Sequence, residues 1–139
     1  MTVVKQGDAF PVLGDAIVTL RRWAITLRDF RKDDSYSPRE IATNKLWYDG
    51  RRIYRKVLHV PALPSNANLL VPHGIHYKEI TSFTGIATGA LYSFVIPYND
   101  QVTASNSVRV LITQDEVQLY TASNKSAYSG KLILEYTKG

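Results

Sequence analysis

The run Leu46-Trp47-Tyr48-Asp49-Gly50-Arg51-Arg52-Ile53-Tyr54-Arg55-Lys56-Val57 restricts what this chain can fold into more than any other stretch. Asp49-Gly50 stands between two strand-like segments. Asp and Gly tolerate the positive φ that a type I′ turn needs at both central positions, and the twist of that turn matches antiparallel strands. The run therefore predicts a β-hairpin closed by a type I′ turn.

The same grammar continues along the chain. From Tyr36 onward, short strand-like runs alternate with turn clusters, the pattern of an antiparallel sandwich or barrel. Strands are predicted at Thr43–Tyr48, Arg52–Val60, Leu69–Val71, Glu79–Ala87, Leu91–Ile96, Ser107–Thr113, Glu116–Thr121 and Lys131–Thr137. The expected fold class is all-β, an antiparallel β-sandwich of about eight strands. Val108, Val110 and Ile112 alternate with Arg109, Leu111 and Thr113, and Val117 and Leu119 resume the period after Gln114-Asp115. One face of that hairpin should be core. Turns are marked at Pro61 to Asn68, Pro72-His73-Gly74, Gly89, Pro97 to Ser107 and Ser123 to Gly130. The last two are long and polar, and long loops on a rigid scaffold are where binding residues tend to be carried.

Residues 1–35 read differently. Asp15 suits a helix N-cap after Gly14, and Leu13, Ile17, Leu20, Ala24 and Leu27 follow a 4-3-4-3 spacing. This a/d stripe lasts about two heptads, short of the roughly three to four that an independent coiled coil needs, though it would suffice on a trimeric body. Val18-Thr19-Leu20 and Trp23-Ala24-Ile25-Thr26-Leu27 carry β-branched and aromatic residues that favour extended backbone. A short helical or extended segment is expected, followed by a polar break at Asp33-Asp34-Ser35-Tyr36-Ser37-Pro38. The chain thus divides into an amino-terminal anchor or trimerisation segment, 1–35, and a sandwich domain, 36–139.

At 139 residues and 15.7 kDa the chain suits one compact domain with an appendage. Hydrophobic residues at 45% against 21% charged indicate a globular body, and nine Tyr favour β-structure and amphipathic contact surfaces. Without Cys there is no disulfide, Cys-based zinc site or thiol catalysis. Neither an apolar run of about 20 residues nor a basic-then-apolar leader occurs, so the chain is expected to be made soluble in the host cytoplasm, with no membrane insertion. The net charge of +5 is uneven: residues 1–56 hold twelve Lys or Arg against seven Asp or Glu, and residues 57–139 hold five of each. The excess suits an acidic protein partner or a solvated face.

The residues of a catalytic site do not assemble into any recognised pattern. No nucleophile elbow, phosphate-cradling Gly loop or dinucleotide fingerprint occurs, and no cofactor is expected. The acidic pairs Asp33-Asp34 and Asp115-Glu116 are adjacent residues, which point to opposite sides of an extended chain and cannot flank one glycosidic bond. His73-Gly74-Ile75-His76 offers two imidazoles in a turn with no third ligand nearby, so His73 is read as bonding to backbone and no metal is expected. Arg51, Arg52, Arg55 and Lys56 around Tyr54 resemble a nucleic-acid patch. In a strand, Arg51, Ile53, Arg55 and Val57 take one side while Arg52, Tyr54, Lys56 and Leu58 take the other, which splits the charge and argues against nucleic acid as a partner.

Four stretches, in order, resemble the carboxy-terminal head or tip module of bacteriophage tail-fibre and tail-spike proteins. They are Tyr36-Ser37 with Glu40-Ile41-Ala42-Thr43; the hairpin from Trp47-Tyr48-Asp49-Gly50 to Tyr54-Arg55-Lys56; Val71-Pro72-His73-Gly74-Ile75 with Ile80 and Gly85-Ile86-Ala87; and Ser126-Ala127-Tyr128-Ser129-Gly130-Lys131-Leu132-Ile133-Leu134-Glu135-Tyr136-Thr137-Lys138. At Thr43-Asn44 the chain departs from the Gly common in that module, which affects one local turn. The resemblance spans Tyr36 to Lys138 and leaves residues 1–35 without a counterpart. It implies a non-enzymatic β-sandwich homotrimer in a virion appendage, adhering to a host surface glycan or protein.

Within that expectation, Tyr98, Asn99, Asp100, Asn106, Asn124 and Tyr128 are the candidate receptor-binding residues. Tyr stacks on sugar or peptide, Asn and Asp bond hydroxyls, and all six lie in the two longest loops. The same residue types also make loop turns or subunit contacts. Arg21, Arg22, Trp23, Arg28 and Phe30 are the candidate docking residues for other virion structural proteins, since aromatics beside arginines anchor interfaces. Two other readings are a capsid decoration or head-fibre protein that recognises no host, and a carbohydrate-degrading spike fragment, which needs two convergent carboxyl groups.

Overall fold

A computed structural model describes residues 35–139; the amino-terminal stripe and Arg21, Arg22, Trp23, Arg28 and Phe30 lie outside the described residues. Eight strands follow in chain order: β1 (Ile41–Leu46), β2 (Arg52–Val60), β3 (Asn68–Pro72), β4 (Glu79–Thr88), β5 (Ser93–Ile96), β6 (Val108–Ile112), β7 (Glu116–Thr121) and β8 (Ser129–Thr137). Every pairing is antiparallel. One sheet has the order β1-β2-β8-β4-β5 and the other β3-β7-β6, packed as a sandwich. All eight predicted strands are present, and β2 and β7 keep their predicted bounds.

Alternation builds the core. In the larger sheet Tyr54, Lys56, Leu58 and Val60 of β2 oppose Tyr136, Leu134, Leu132 and Gly130 of β8, which places these residues on one face. On the other side of β8, Phe83, Gly85 and Ala87 of β4 take up Leu134, Leu132 and Gly130. In the smaller sheet Leu69 and Val71 oppose Leu119 and Val117, and Val108, Val117 and Leu119 are buried, as the period predicted. Gly85 is demanded by packing: a Cβ there would lie 2.8 Å from Ile96 Cβ and 3.2 Å from Leu132 Cδ2.

The hairpin turn differs from the prediction. Trp47 N–H donates to Arg51 O at 2.8 Å and Gly50 N–H to Trp47 O at 2.9 Å, and Gly50 alone in the turn has a positive φ, +86°. This is a three-residue loop with its left-handed residue at Gly50, not a type I′ turn. Asp49 stays at negative φ, and its Oδ1 accepts Arg51 N–H at 3.0 Å, so its side chain rather than its backbone shapes the turn. The longer loop also moves β1 upstream of Trp47. Similarly, β5 starts at Ser93 because Gly89 N–H donates to Tyr92 O at 3.0 Å and leaves Leu91 at an exposed turn tip.

Candidate loop groove at one end of the sandwich

Strand β8 begins beside three connections: residues 61–67, the turn 89–92 and the loop 122–128. Backbone bonds tie the first and third together, with Leu63 N–H on Tyr128 O at 2.9 Å, Asn66 N–H on Ser123 O at 3.0 Å and Lys125 N–H on Pro64 O at 3.2 Å, while the turn 89–92 meets them through the Tyr92 and Tyr128 rings. Asn66 has a φ of +50°, a conformation that Asn accepts more readily than most side chains. Tyr128 N–H closes a turn onto Lys125 O at 3.0 Å and sets both side chains toward β5.

The result is an aromatic cluster centred on Phe94. Its ring centroid lies 5.1 Å from that of Tyr128 and 5.2 Å from that of Tyr98, and Tyr92 stands 5.6 Å from Tyr128. Such edge-to-face and tilted pairs contribute about 0.5–1.5 kcal/mol each beyond burial. Tyr128 lies over Gly89, where a Cβ would come within 2.5 Å of its Cε1. The hydrogen bond with Tyr92, together with burial, raises the Tyr128 hydroxyl above its ordinary value of 10.0. Tyr92, Ser93, Phe94, Tyr98, Asn106 and Lys125 line a cavity of about 320 Å³. That volume is at the lower end of the ~300–1,000 Å³ of small-molecule sites. Tyr98 also walls an adjoining cavity of about 490 Å³ with Asn99, Ser107 and Arg109.

Of the six receptor candidates, the structure brings Tyr98 and Asn106 to one cavity, sets Tyr128 against its aromatic wall and Asn99 beside the neighbouring cavity. Asp100 builds the loop. Its Oδ1 accepts Val102 N–H and Thr103 N–H, both at 2.9 Å, its Oδ2 accepts Asn106 Nδ2–H at 3.3 Å, and its own N–H donates to Ser107 Oγ at 3.1 Å. The bond from Thr103 N–H, followed by those from Asn106 and Val102, holds its carboxyl below the ordinary 3.8. Tyr98 N–H donates to Val108 O at 3.1 Å and Val108 N–H to Tyr98 O at 2.8 Å, closing the loop. Asn124 likewise serves a turn: its Oδ1 accepts from Ser126 N–H at 2.9 Å and Ser126 Oγ–H at 2.6 Å.

Sequence reasoning overlooked Lys125, Phe94 and Tyr92. Lys125 sits in the polar tract Ser123-Asn124-Lys125-Ser126 and is nonetheless only 8% exposed. The available signal was its position three residues before Tyr128, within the turn that brings both residues to Phe94.

The histidine and arginine motifs have other tasks. His73 is buried, and its Nδ1 accepts Ile75 N–H at 3.1 Å while Nε2 lies 2.9 Å from Thr113 O, so the neutral tautomer with hydrogen on Nε2 satisfies both. Both ring nitrogens are thereby engaged with backbone, and the described residues hold no cluster of three His, Asp or Glu. Lys56 Nζ donates to His73 O at 2.6 Å, whereas Arg55 on the opposite face of β2 pairs with Glu135 at 2.8 Å. Comparison of the chain with protein-family models, curated proteins and solved structures gives no significant match.

Proposed function

We propose that this protein is a virion structural protein, the homotrimeric head of a tail fibre or similar appendage, and that it attaches the particle to its host. The observation that carries this reading is the groove where the two longest loops meet, walled by Tyr92, Phe94 and Tyr98 and edged by Asn106. Tyr offers a flat amphipathic face at low entropic cost, and the Asn amide supplies both a donor and an acceptor for hydroxyls. Phe94 is fixed in β5, and the bonds of Asp100 and the Tyr98–Val108 bridge hold the loop that carries Tyr98 and Asn106, which reduces the freedom lost on binding. The ordered resemblance to phage fibre heads from Tyr36 to Lys138 supports the same reading, and residues 1–35 would join the head to other virion structural proteins.

Adsorption competition tests it. Purified protein added to host cells ahead of the particle should block adsorption, and Tyr98→Ala should lose that block while remaining folded. Undiminished adsorption in excess protein would reject the role. Light scattering on the full chain and on a chain starting at Tyr36 should give a trimer in both; a monomer in both would favour a decoration or single-copy adaptor protein.

A further inference from the structure

Two positively charged side chains among the described residues are buried, Arg55 and Lys125. The first is provided with an anion, since Glu135 Oε2 lies 2.8 Å from its Nη2 and 2.9 Å from its Nε. Lys125 has no carboxylate in reach: the ion pairs of the described residues use Lys45, Arg51, Arg55 and Lys138. Its Nζ instead stands 5.8 Å from the Phe94 ring centroid and 5.9 Å from that of Tyr128, near the ~6 Å limit of cation–π attraction. Asp100, which borders the groove through Asn106, has both carboxylate oxygens engaged within its own loop. The Lys125 side chain is packed away along its length while its ammonium, with no carboxylate in reach among the described residues, lines an open cavity where an anion on a ligand can meet it.

We infer that the groove binds a sugar ring bearing an anionic group, carboxylate or phosphate, with that group on the Lys125 ammonium. The ring packs against Tyr92 and Tyr98, and its hydroxyls reach Asn106 and Ser93. This rests on the reading of the groove as an attachment surface and adds the charge class of what it takes. A Lys ammonium is a point charge that serves either anion, so the source of the charge is left for the titration to separate.

The test is an NMR titration of the full-length protein with glucuronic acid, glucose 6-phosphate and methyl glucoside. One or both acids should shift resonances of Tyr92, Phe94, Asn106 and Lys125, with affinity at least tenfold above the neutral sugar and weakening as salt is added. A lead for glucuronic acid assigns a carboxylate ligand, and a lead for glucose 6-phosphate a phosphorylated one. Lys125→Met should remove the tenfold preference and Lys125→Arg should keep it. Equal binding of acids and neutral sugar, shifts elsewhere on the molecule, wild-type acid binding by Lys125→Met, or no binding of any of the three would overturn the inference. Blocked adsorption without acid preference ends the inference and leaves the attachment role. Acid preference lost in Lys125→Met, in a protein that does not block adsorption, sustains the site and ends that role.

Discussion

The two ends of β8 are made from the same materials, a buried cation and a set of Tyr rings, and they use them in opposite ways. Near its carboxy-terminal end Arg55 is 3% exposed, bonds to Glu135 and lies under the Tyr36 ring at 4.4 Å. There Tyr136 stacks on Tyr54 and donates its hydroxyl to Glu40, which also pairs with Lys138, itself 4.4 Å above the Tyr54 ring. Burial, then the Glu40 bond, pushes the Tyr136 hydroxyl far above its ordinary value. At the amino-terminal end Lys125 has aromatic neighbours and, among the described residues, no anion. Where the fold itself needs a charge in place, the sheet register supplies the counter-charge, Arg55 opposite Glu135. At the groove end no described residue supplies one, which is the arrangement the proposed anionic ligand would complete.

The largest expected effect comes from breaking the completed end. Glu135→Ala removes the carboxylate that holds Arg55 and Lys45, and should destabilise by about 3 kcal/mol, since losing one partner strands charge in a dry site. The denaturation midpoint should fall with an unchanged slope. An effect below about 1 kcal/mol would mean that the pair is solvated and the contrast between the ends is false.

Glycine provides the next contrast. Gly85→Ala places a Cβ against Ile96 Cβ and O and Leu132, which are fixed in the sheets, and should destabilise by about 1–3 kcal/mol. At Gly89 the nearest atoms that a Cβ would meet belong to the Tyr128 ring, at the edge of the groove, and that side chain can swing aside. Gly89→Ala should change stability by less than about 1 kcal/mol while abolishing adsorption blocking. Equal stability losses for the two variants would show that the groove wall is as rigid as the core. Smaller still is Lys125→Met, which replaces an unpaired ammonium by a side chain of similar length and should leave stability within about 1 kcal/mol or raise it. A loss like that of Glu135→Ala would show that Lys125 has a structural counter-charge.

How legible each end was in the sequence follows from the range of its determinants. Strand positions depend on local alternation, so the run from Arg52 to Val60 and the Val108-to-Leu119 hairpin could be read directly. The turn at Asp49-Gly50 was misread because Asp can either take the left-handed backbone or cap the turn with its side chain, and the choice depends on the strands. Tyr98, Asn106 and Tyr128 were visible as loop aromatics and amides. Asp100 and Asn124 looked the same by residue type, yet the Oδ1 of each accepts from nearby backbone N–H groups and Asp100 Oδ2 accepts from the Asn106 amide. Lys125 could not be found by periodicity, because Phe94, which helps to bury it, is 31 residues away and arrives only through sheet order.

Acid distinguishes the two ends most gently. Burial works to raise the Glu40 carboxyl, but the bonds from Lys138 and Tyr136 outweigh it and hold the group below its ordinary 4.5. A carboxylate lowered in the folded state contributes stability that is fully present above its unfolded value and is lost as pH falls through its folded one. Stability tied to Glu40 should therefore hold above about pH 4.5 and decline below it, and Glu40→Gln should flatten that decline. Asp100 follows the same sign from its ordinary 3.8, but what it secures is a loop rather than the core. As pH falls through its folded value, hydrogen exchange at Val102 and Thr103 should quicken while β8 amides stay protected. If instead β8 loses protection together with the loop, the groove end is not an independent unit, and the 98–108 loop is held by the sandwich rather than by Asp100.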